Sequence, residues 1–179
     1  MTERLSKEER RGRVIDVLNQ ARAMELFAIT QYMNQHYGLD DMDYGELAAK
    51  MKLIAIDEMR HAEMFAERIK ELGGEPTTER EGELKKRQDV RSIYPYDAGL
   101  EDDTIDIYNQ FLLTARECGD NLTVKLFETI IEEEQAHMSY FDNVGNHINT
   151  LGDTYLSKIA GTSASTGPST KGFLISGQA

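Results

Sequence analysis

Residues 47–65 read LAAKMKLIAIDEMRHAEMF, and chemically distinctive side chains recur in this stretch at steps of three and four. The residues at those steps are Leu47, Met51, Ile54, Glu58, His61 and Phe65. This spacing places them on one face of an α-helix. The face is apolar at both ends and carries a carboxylate and an imidazole in its middle, which is unusual for a surface that packs into a core.

Three further stretches, 14–32, 101–115 and 127–148, carry a stripe of the same kind. Glycine is absent from the windows 13–37, 46–72 and 120–144. Windows of this length are far too long for β-strands, which run to about 3–10 residues. The sequence therefore predicts an all-α fold, a four-helix bundle in which each long helix turns one stripe inward.

Capping residues and helix breakers mark the expected helix ends. Ser6-Lys7-Glu8-Glu9 has the pattern of a capping box that opens the first helix, and Gly38 is a suitable stop. Pro95 suits the first turn of the third helix, after a long crossover connection over 73–94. The second, third, fourth and short fifth helices are expected at about 44–72, 95–119, 120–149 and 154–159.

Two segments follow from this organisation. Residues 1–160 are expected to form one bundle domain that includes the short C-terminal fifth helix. Residues 161–179 read GTSASTGPSTKGFLISGQA, and a segment so rich in glycine, serine and threonine is expected to be a flexible tail.

The composition excludes several functional classes. Lysine plus arginine number 20 against 32 for aspartate plus glutamate, a net charge of −12, which argues against a nucleic-acid surface. No apolar run approaches the roughly 20 residues that span a bilayer, and the N-terminus lacks the apolar stretch of a secretory signal. A single cysteine, Cys118, excludes a disulfide framework within the chain. A cytoplasmic protein without a membrane partner is therefore expected.

Each of the four stripes is interrupted by a glutamate, and a buried carboxylate normally neutralises, pairs or binds a metal. Glu25 and Glu58 lie 33 residues apart, as do Glu101 and Glu134 (58 − 25 and 134 − 101). The interval between the two pairs is 76 in both cases (101 − 25 and 134 − 58). The chain therefore resembles two helical hairpins with acidic groups in matching places, which a pseudo-twofold axis would bring together.

Two histidines repeat the same register. His61 follows Glu58 by three residues and His137 follows Glu134 by three, so each pair projects from one helix face. Asp57 and Glu133 also lie within a turn of these histidines, but only Glu58 and Glu134 keep both intervals. Four carboxylates and two imidazoles suit two divalent ions such as Fe²⁺ or Mn²⁺. The alternative is that these groups are surface charges, or buried polar pairs that only determine the topology of the bundle.

The motifs LNQARAMELFAITQY at 18–32, DEMRHAE at 57–63 and EEEQAH at 132–137 resemble those of the bacterioferritins, members of the ferritin-like di-iron superfamily, over about residues 12–160. The resemblance implies a hollow 24-subunit shell that oxidises Fe²⁺ at an intrasubunit di-iron ferroxidase centre and stores ferric mineral. Glu25 and Glu101 would then be terminal ligands and Glu58 and Glu134 bridging ligands. His61 and His137 would each bind one iron.

The resemblance also implies a haem shared by two subunits, with Met59 as its axial ligand in each. At about 100° per residue, Met59 points roughly 160° away from His61 and therefore out of the bundle. An interface methionine that only packs is the alternative. Tyr32 shares the stripe of Glu25 and is either a donor to the centre or a core tyrosine. A small redox protein such as a ferredoxin or rubredoxin is a further expected partner.

Two other functions use the same type of bundle. One is a different di-metal oxidoreductase, such as a rubrerythrin-like peroxidase or a manganese catalase. One cysteine cannot supply the paired Cys-x-x-Cys motifs of the rubredoxin module that rubrerythrins usually carry. The second is a haem-binding or structural shell whose metal site is incidental.

Overall fold

The computed structural model describes residues 5–167 and 171–176. Its helices are α1 (Lys7–Asp41), α2 (Gly45–Glu71), α3 (Val90–Glu117), α4 (Asn121–Leu151), α5 (Asp153–Ile159) and α6 (Phe173–Ser176). Helix α1 packs along α2, and α3 packs along α4. The residues between α2 and α3 form one long crossover, so the predicted four-helix bundle with a short fifth helix is confirmed. Within the described ranges, no helix has the length and hydropathy needed to span a bilayer.

Two predicted helix ends are wrong. Helix α1 continues through Gly38 to Asp41. Helix α3 begins at Val90 and not at Pro95, because the Asp89 side chain accepts hydrogen bonds from the backbone N–H groups of Arg91 and Ser92. That cap satisfies the orphan donors of the first turn and starts the helix five residues before the proline.

Two apolar clusters fill the ends of the bundle. One includes Tyr32, Met51 and Phe141, and the other includes Leu18 and Phe127, all of which are fully or almost fully buried. In every long helix, the residues of one cluster lie before and those of the other lie after the glutamate singled out above. The polar groups are therefore held at mid-height between two packed apolar layers.

The crossover is tied to α1 along its length. The Asn19 side chain donates to the carbonyl of Glu75 at 3.1 Å and accepts from the N–H of Thr77 at 2.7 Å. Farther along, the N–H of Glu81 donates to the carbonyl of Ala23 at 3.0 Å, and Gln31 pairs with the backbone of Lys85. These bonds hold the connection across the side of the bundle next to Glu25.

Part of the chain beyond α5 packs on the bundle. The N–H of Gly161 donates to the carbonyl of Asp43 at 2.9 Å, and α6 lies against α2. The division into a bundle domain, 1–160, and a flexible tail, 161–179, stays a prediction.

Candidate metal centre

Six acidic and imidazole side chains meet at the middle of the bundle, two from α2, two from α4 and one each from α1 and α3. They are Glu25, Glu58, His61, Glu101, Glu134 and His137. None is more than 3% exposed. The helical spacing explains the convergence, because a three-residue step aims each glutamate and its histidine at the same interior point.

Glu58 and Glu134 each span both imidazoles. The Nδ1 atom of His61 lies 3.0 Å from Glu58 Oε2 and 3.1 Å from Glu134 Oε1. The Nδ1 atom of His137 lies 3.0 Å from Glu134 Oε2 and 3.1 Å from Glu58 Oε1. Each carboxylate thus presents one oxygen to each histidine, which is the arrangement of two bridging ligands.

The ligand atoms form two groups that share these bridging carboxylates. Glu25 and His61 complete one group, and Glu101 and His137 complete the other, with the atoms of each group within 4.8 Å of one another. Two sites with four donors each, joined by two common ligands, are a suitable frame for a pair of divalent ions.

Two tyrosines hold the outer carboxylates in a crossed pattern. The Tyr108 hydroxyl donates to Glu25 Oε1 at 2.6 Å, and the Tyr32 hydroxyl donates to Glu101 Oε1 at 2.5 Å. Tyr32 is therefore a donor to the centre as well as a core residue. The equivalent role of Tyr108 was missed by the sequence analysis, although its separation of 76 residues from Tyr32 (108 − 32) carried the signal.

Asp57 and Glu133 contact the far side of the two imidazoles. Glu133 Oε2 lies 2.7 Å from His61 Nε2, and Asp57 Oδ2 lies 3.4 Å from His137 Nε2. When Nδ1 faces a metal, Nε2 carries the proton and donates it to such a carboxylate, which orients the ring. Asp57 and Glu133 therefore contact the Nε2 atoms of the imidazoles and lie away from the Nδ1 side, where the six side chains converge.

Without bound cations, burial and the neighbouring charges favour the protonated forms of four of these six groups. Burial, reinforced by the neighbouring carboxylates, raises the pKa of Glu25 and of Glu101 well above the ordinary 4.5. Burial lowers the pKa of His61 and His137, but the surrounding carboxylates outweigh it and raise both well above 6.5. Burial also acts to raise the pKa of Glu134, but the two imidazoles lower it to about 2. Without bound cations, these four groups therefore keep their protons to a higher pH than they would in water.

The donor set fits iron. Oxygen atoms Glu58 Oε1 and Glu134 Oε1 are buried and lack an aligned hydrogen-bond donor among the described residues. Orphaned carboxylate oxygens require a cation or a proton. Carboxylates combined with imidazoles and no thiolate favour Fe²⁺ or Mn²⁺ over softer ions.

A cavity of about 290 Å³ reaches the centre between α1 and α3. All four glutamates line it, and the acidic side chains of Glu81, Glu83 and Asp103 lie along its wall. The crossover supplies Glu81 and Glu83, so its hydrogen bonds to α1 position two of the acids that line the cavity. A negative approach favours cations.

Met59 does not line this cavity and is exposed on the surface. Its side chain is 55% exposed and borders an open depression with Leu26, Ile29 and Ala66, as well as Arg22 and Arg60. The structure thus places Met59 on the outside of α2, as the helical angle predicts.

Comparisons with known proteins agree with this geometry. The family model described as the ferritin-like domain matches residues 15–152. The chain is 67% identical over 169 residues to the bacterioferritin of Desulfovibrio desulfuricans, covering 94% of each chain. It is 32% identical over 140 residues to that of Mycobacterium bovis, covering 78% of this chain and 88% of the relative.

Two solved structures match as well. An X-ray structure of the Desulfovibrio desulfuricans bacterioferritin, from a study of its diiron site in different catalytic states, has a TM-score of 0.92 at 66% identity. The match covers 95% of this chain and 99% of that one. The Mycobacterium tuberculosis bacterioferritin has a TM-score of 0.78 at 31% identity, with 82% and 93% covered.

The two shared carboxylates generate a stoichiometry prediction. Titration with Co²⁺, followed by its visible absorption, should give two ions per chain. Glu25→Gln should weaken the binding of one of the two ions by about tenfold to a hundredfold and leave the binding of the other unchanged. Glu134→Gln should weaken the binding of both ions. Glu132→Gln, an exposed neighbour on α4, is the matched control and should bind two ions normally. Equal effects of Glu25→Gln and Glu134→Gln would contradict the bridging geometry.

The stability of the metal-free protein should fall as the pH rises above about 6.5. The protons held by His61 and His137 stabilise the fold below the ordinary pKa of 6.5, and this stabilisation is lost as the pH approaches their raised values. The raised pKa values of Glu25 and Glu101 act in the same direction, because the folded chain keeps protons that the unfolded chain releases above 4.5.

Thermal unfolding across pH, with and without Co²⁺, measures this effect. Bound cations replace the protons, so the Tm of the loaded protein should depend much less on pH. A metal-free Tm that stays flat or rises between neutral and alkaline pH would refute the proton-compensated centre.

Proposed function

The chain belongs to the bacterioferritin family of ferritin-like proteins, and from this membership we propose how its own residues bind and oxidise iron. The protein is an iron-storage protein and a ferroxidase with a di-iron centre. The observation that carries the residue assignment is the pair of carboxylates, Glu58 and Glu134, that span both imidazole Nδ1 atoms.

In this proposal, Glu25 and His61 hold one iron and Glu101 and His137 hold the other, with Glu58 and Glu134 shared. Each bound Fe²⁺ supplies one electron to an oxidant, dioxygen or peroxide. The protein residues provide the fixed surroundings. The hydroxyls of Tyr108 and Tyr32 keep the terminal carboxylates in place, and Fe²⁺ approaches through the acid-lined cavity.

The protons of the metal-free centre leave when iron binds. Glu25, Glu101 and both imidazoles must deprotonate at their ligand atoms before they coordinate a cation. Glu133 and Asp57 accept the remaining Nε2–H of each imidazole, which holds Nδ1 toward the iron. Iron binding should therefore release protons from these residues.

We also propose that Met59 would hold a haem shared by two subunits, with one such methionine from each. The exposed thioether lies beside a depression with an apolar floor, and the charged side chains of Arg22, Arg60 and Glu63 border it. One such depression covers only part of a porphyrin, so a second copy of the chain is needed to enclose it. A ferredoxin or rubredoxin as electron donor, and a cytoplasmic location, stay proposals at the level of the family.

The proposed assembly is a 24-subunit shell. Its mass would be about 487 kDa, from 24 × 20.3 kDa. The alternative function is that of a rubrerythrin-like peroxidase or a manganese catalase on the same bundle. An enzyme of either kind is expected to form a much smaller oligomer. The relatives named above are bacterioferritins, which supports the shell.

Replacement of a bridging carboxylate or of a histidine ligand should remove the ferroxidase activity. Glu134→Gln and His137→Ala should each slow Fe²⁺ oxidation by about a hundredfold or more, since each removes a donor from the centre. The measurement is the first-turnover appearance of ferric absorbance with two Fe²⁺ per chain. Glu132→Gln serves as the control. An unchanged rate in either ligand variant would overturn the assignment.

Haem binding should depend on Met59 alone among the methionines of α2. Met59→Leu should reduce the porphyrin content of the purified protein, expected at one haem per two chains, to a trace. Met64→Leu, a change on the same helix, should leave it unaffected. Full haem content in Met59→Leu would show that this residue only packs.

A further inference from the structure

The chain beyond α5 returns along α2 and is anchored at two points. We name the described residues 161–167 and 171–176 the C-terminal strap. At its first anchor, the N–H of Glu46 donates to the Thr162 hydroxyl at 2.8 Å, next to the bond between Gly161 and Asp43. At its second anchor, the N–H of Leu174 donates to Asp57 Oδ2 at 3.0 Å. From residue 46 to residue 57, α2 rises by about 16 Å, so the two anchors lie about three turns apart on this helix.

Glycine is required at both anchors because the strap lies directly on α2. A Cβ atom at Gly45 would lie 2.0 Å from the carbonyl oxygen of Thr162. A Cβ atom at Gly172 would lie 1.8 Å from Asp57 Oδ1 and 2.4 Å from its Cγ. Neither contact is possible for a real side chain, so each anchor depends on the absence of one.

The second anchor covers the imidazole side of the metal centre. The Phe173 ring lies 6.0 Å from the His137 ring and 5.0 Å from the Tyr140 ring, measured between centroids. The Lys50 ammonium lies 5.6 Å from the Phe173 centroid. Phe173 therefore fills the groove between α2 and α4 over one of the two histidines.

Asp57 connects the strap to that histidine. It is fully buried and is contacted by Arg60 at 2.7 Å, by the N–H of Leu174 and by His137 Nε2 at 3.4 Å. The aspartate that orients His137 is thus itself held by the backbone of the strap.

We propose that the C-terminal strap is an intramolecular cover that closes the α2–α4 face of the metal centre. The acid-lined cavity opens on the other side, between α1 and α3, so a docked strap leaves that cavity as the route to the centre. Release of the strap opens a second route past His137 and frees Asp57 to turn away. The docking is independent of the proposed ferroxidase function, whereas the gating of cations rests on the metal centre that this function requires.

Docking is measured with a tryptophan in place of Phe173. The natural chain contains no tryptophan, so Phe173→Trp gives a single tryptophan, selectively excited at about 295 nm, at this partly buried position. We expect blue-shifted emission and weak quenching by acrylamide. Adding Gly172→Ala should shift the emission to the red and raise the quenching constant by about threefold or more, because the new Cβ collides with Asp57. Gly12→Ala, where no atom lies within 4 Å of the added Cβ, is the matched control.

Gating is measured with Co²⁺ as the probe. In protein with the natural Phe173, Gly172→Ala should speed the removal of bound Co²⁺ by a chelator by about tenfold, while two ions per chain still bind at equilibrium. A variant that ends at residue 167 should behave in the same way. This second variant separates loss of the cover from strain caused by the alanine.

Each outcome decides one part of the proposal. Solvent-exposed emission in the Phe173→Trp protein that carries Gly172, or no response to Gly172→Ala, would overturn the docking. A docked tryptophan with an unchanged rate of Co²⁺ removal in both strap variants would overturn the gating. Failure of Co²⁺ to bind even with the strap intact would instead contradict the proposed metal centre and leave the docking result standing.

Discussion

The structure depends on the convergence of four carboxylates and two imidazoles in a buried layer between two apolar clusters. Bringing such groups together is costly unless the negative charge is compensated. Without bound cations, this cost favours protonation, as the raised pKa values of Glu25, Glu101, His61 and His137 indicate. Cations would compensate the same charge. They would also contact two buried carboxylate oxygens that lack an aligned donor among the described residues. The affinity of the centre for iron and the conditional stability of the metal-free bundle therefore have one physical origin.

A two-fold relation between the hairpins extends well beyond the proposed ligands. Tyr32 and Tyr108 are related by the same interval of 76 residues as Glu25 and Glu101, and each hydroxyl donates to the glutamate of the other hairpin. Asp57 and Glu133 are also related by this interval, and each contacts the histidine of the other hairpin. These crossed contacts lock α1–α2 to α3–α4 through the centre itself. The relation is broken on the α2–α4 face, where the C-terminal strap covers Asp57 and Glu133 stays partly exposed.

Periodicity and register were sufficient to predict the bundle, because a helix converts residue steps directly into directions. The same register favours Glu58 and Glu134 over their acidic neighbours as the proposed bridging ligands. The start of α3 was predicted wrongly because Pro95 is a conspicuous signal, while the cap at Asp89 is an ordinary aspartate whose bonds appear only in the fold. The hydrogen bond from Tyr108 to Glu25 follows the same 76-residue repeat as the bond from Tyr32 to Glu101, although the sequence analysis named only Tyr32. The contact of Gly172 with Asp57 links residues more than a hundred positions apart in a segment without periodicity, so no local pattern could indicate it. The sequence thus predicts the parts of the site that lie on long helices, and the structure adds those that depend on tertiary contacts.

The central claim is that the six converging side chains hold two iron ions, joined by Glu58 and Glu134. Anomalous diffraction at the iron edge, from crystals soaked anaerobically with ferrous salt, tests it most directly. We expect two peaks per chain at a separation of about 3.5–4 Å, one beside Nδ1 of His61 and one beside Nδ1 of His137. Absence of iron from this layer, or iron bound on the Nε2 side beside Asp57 and Glu133, would contradict it.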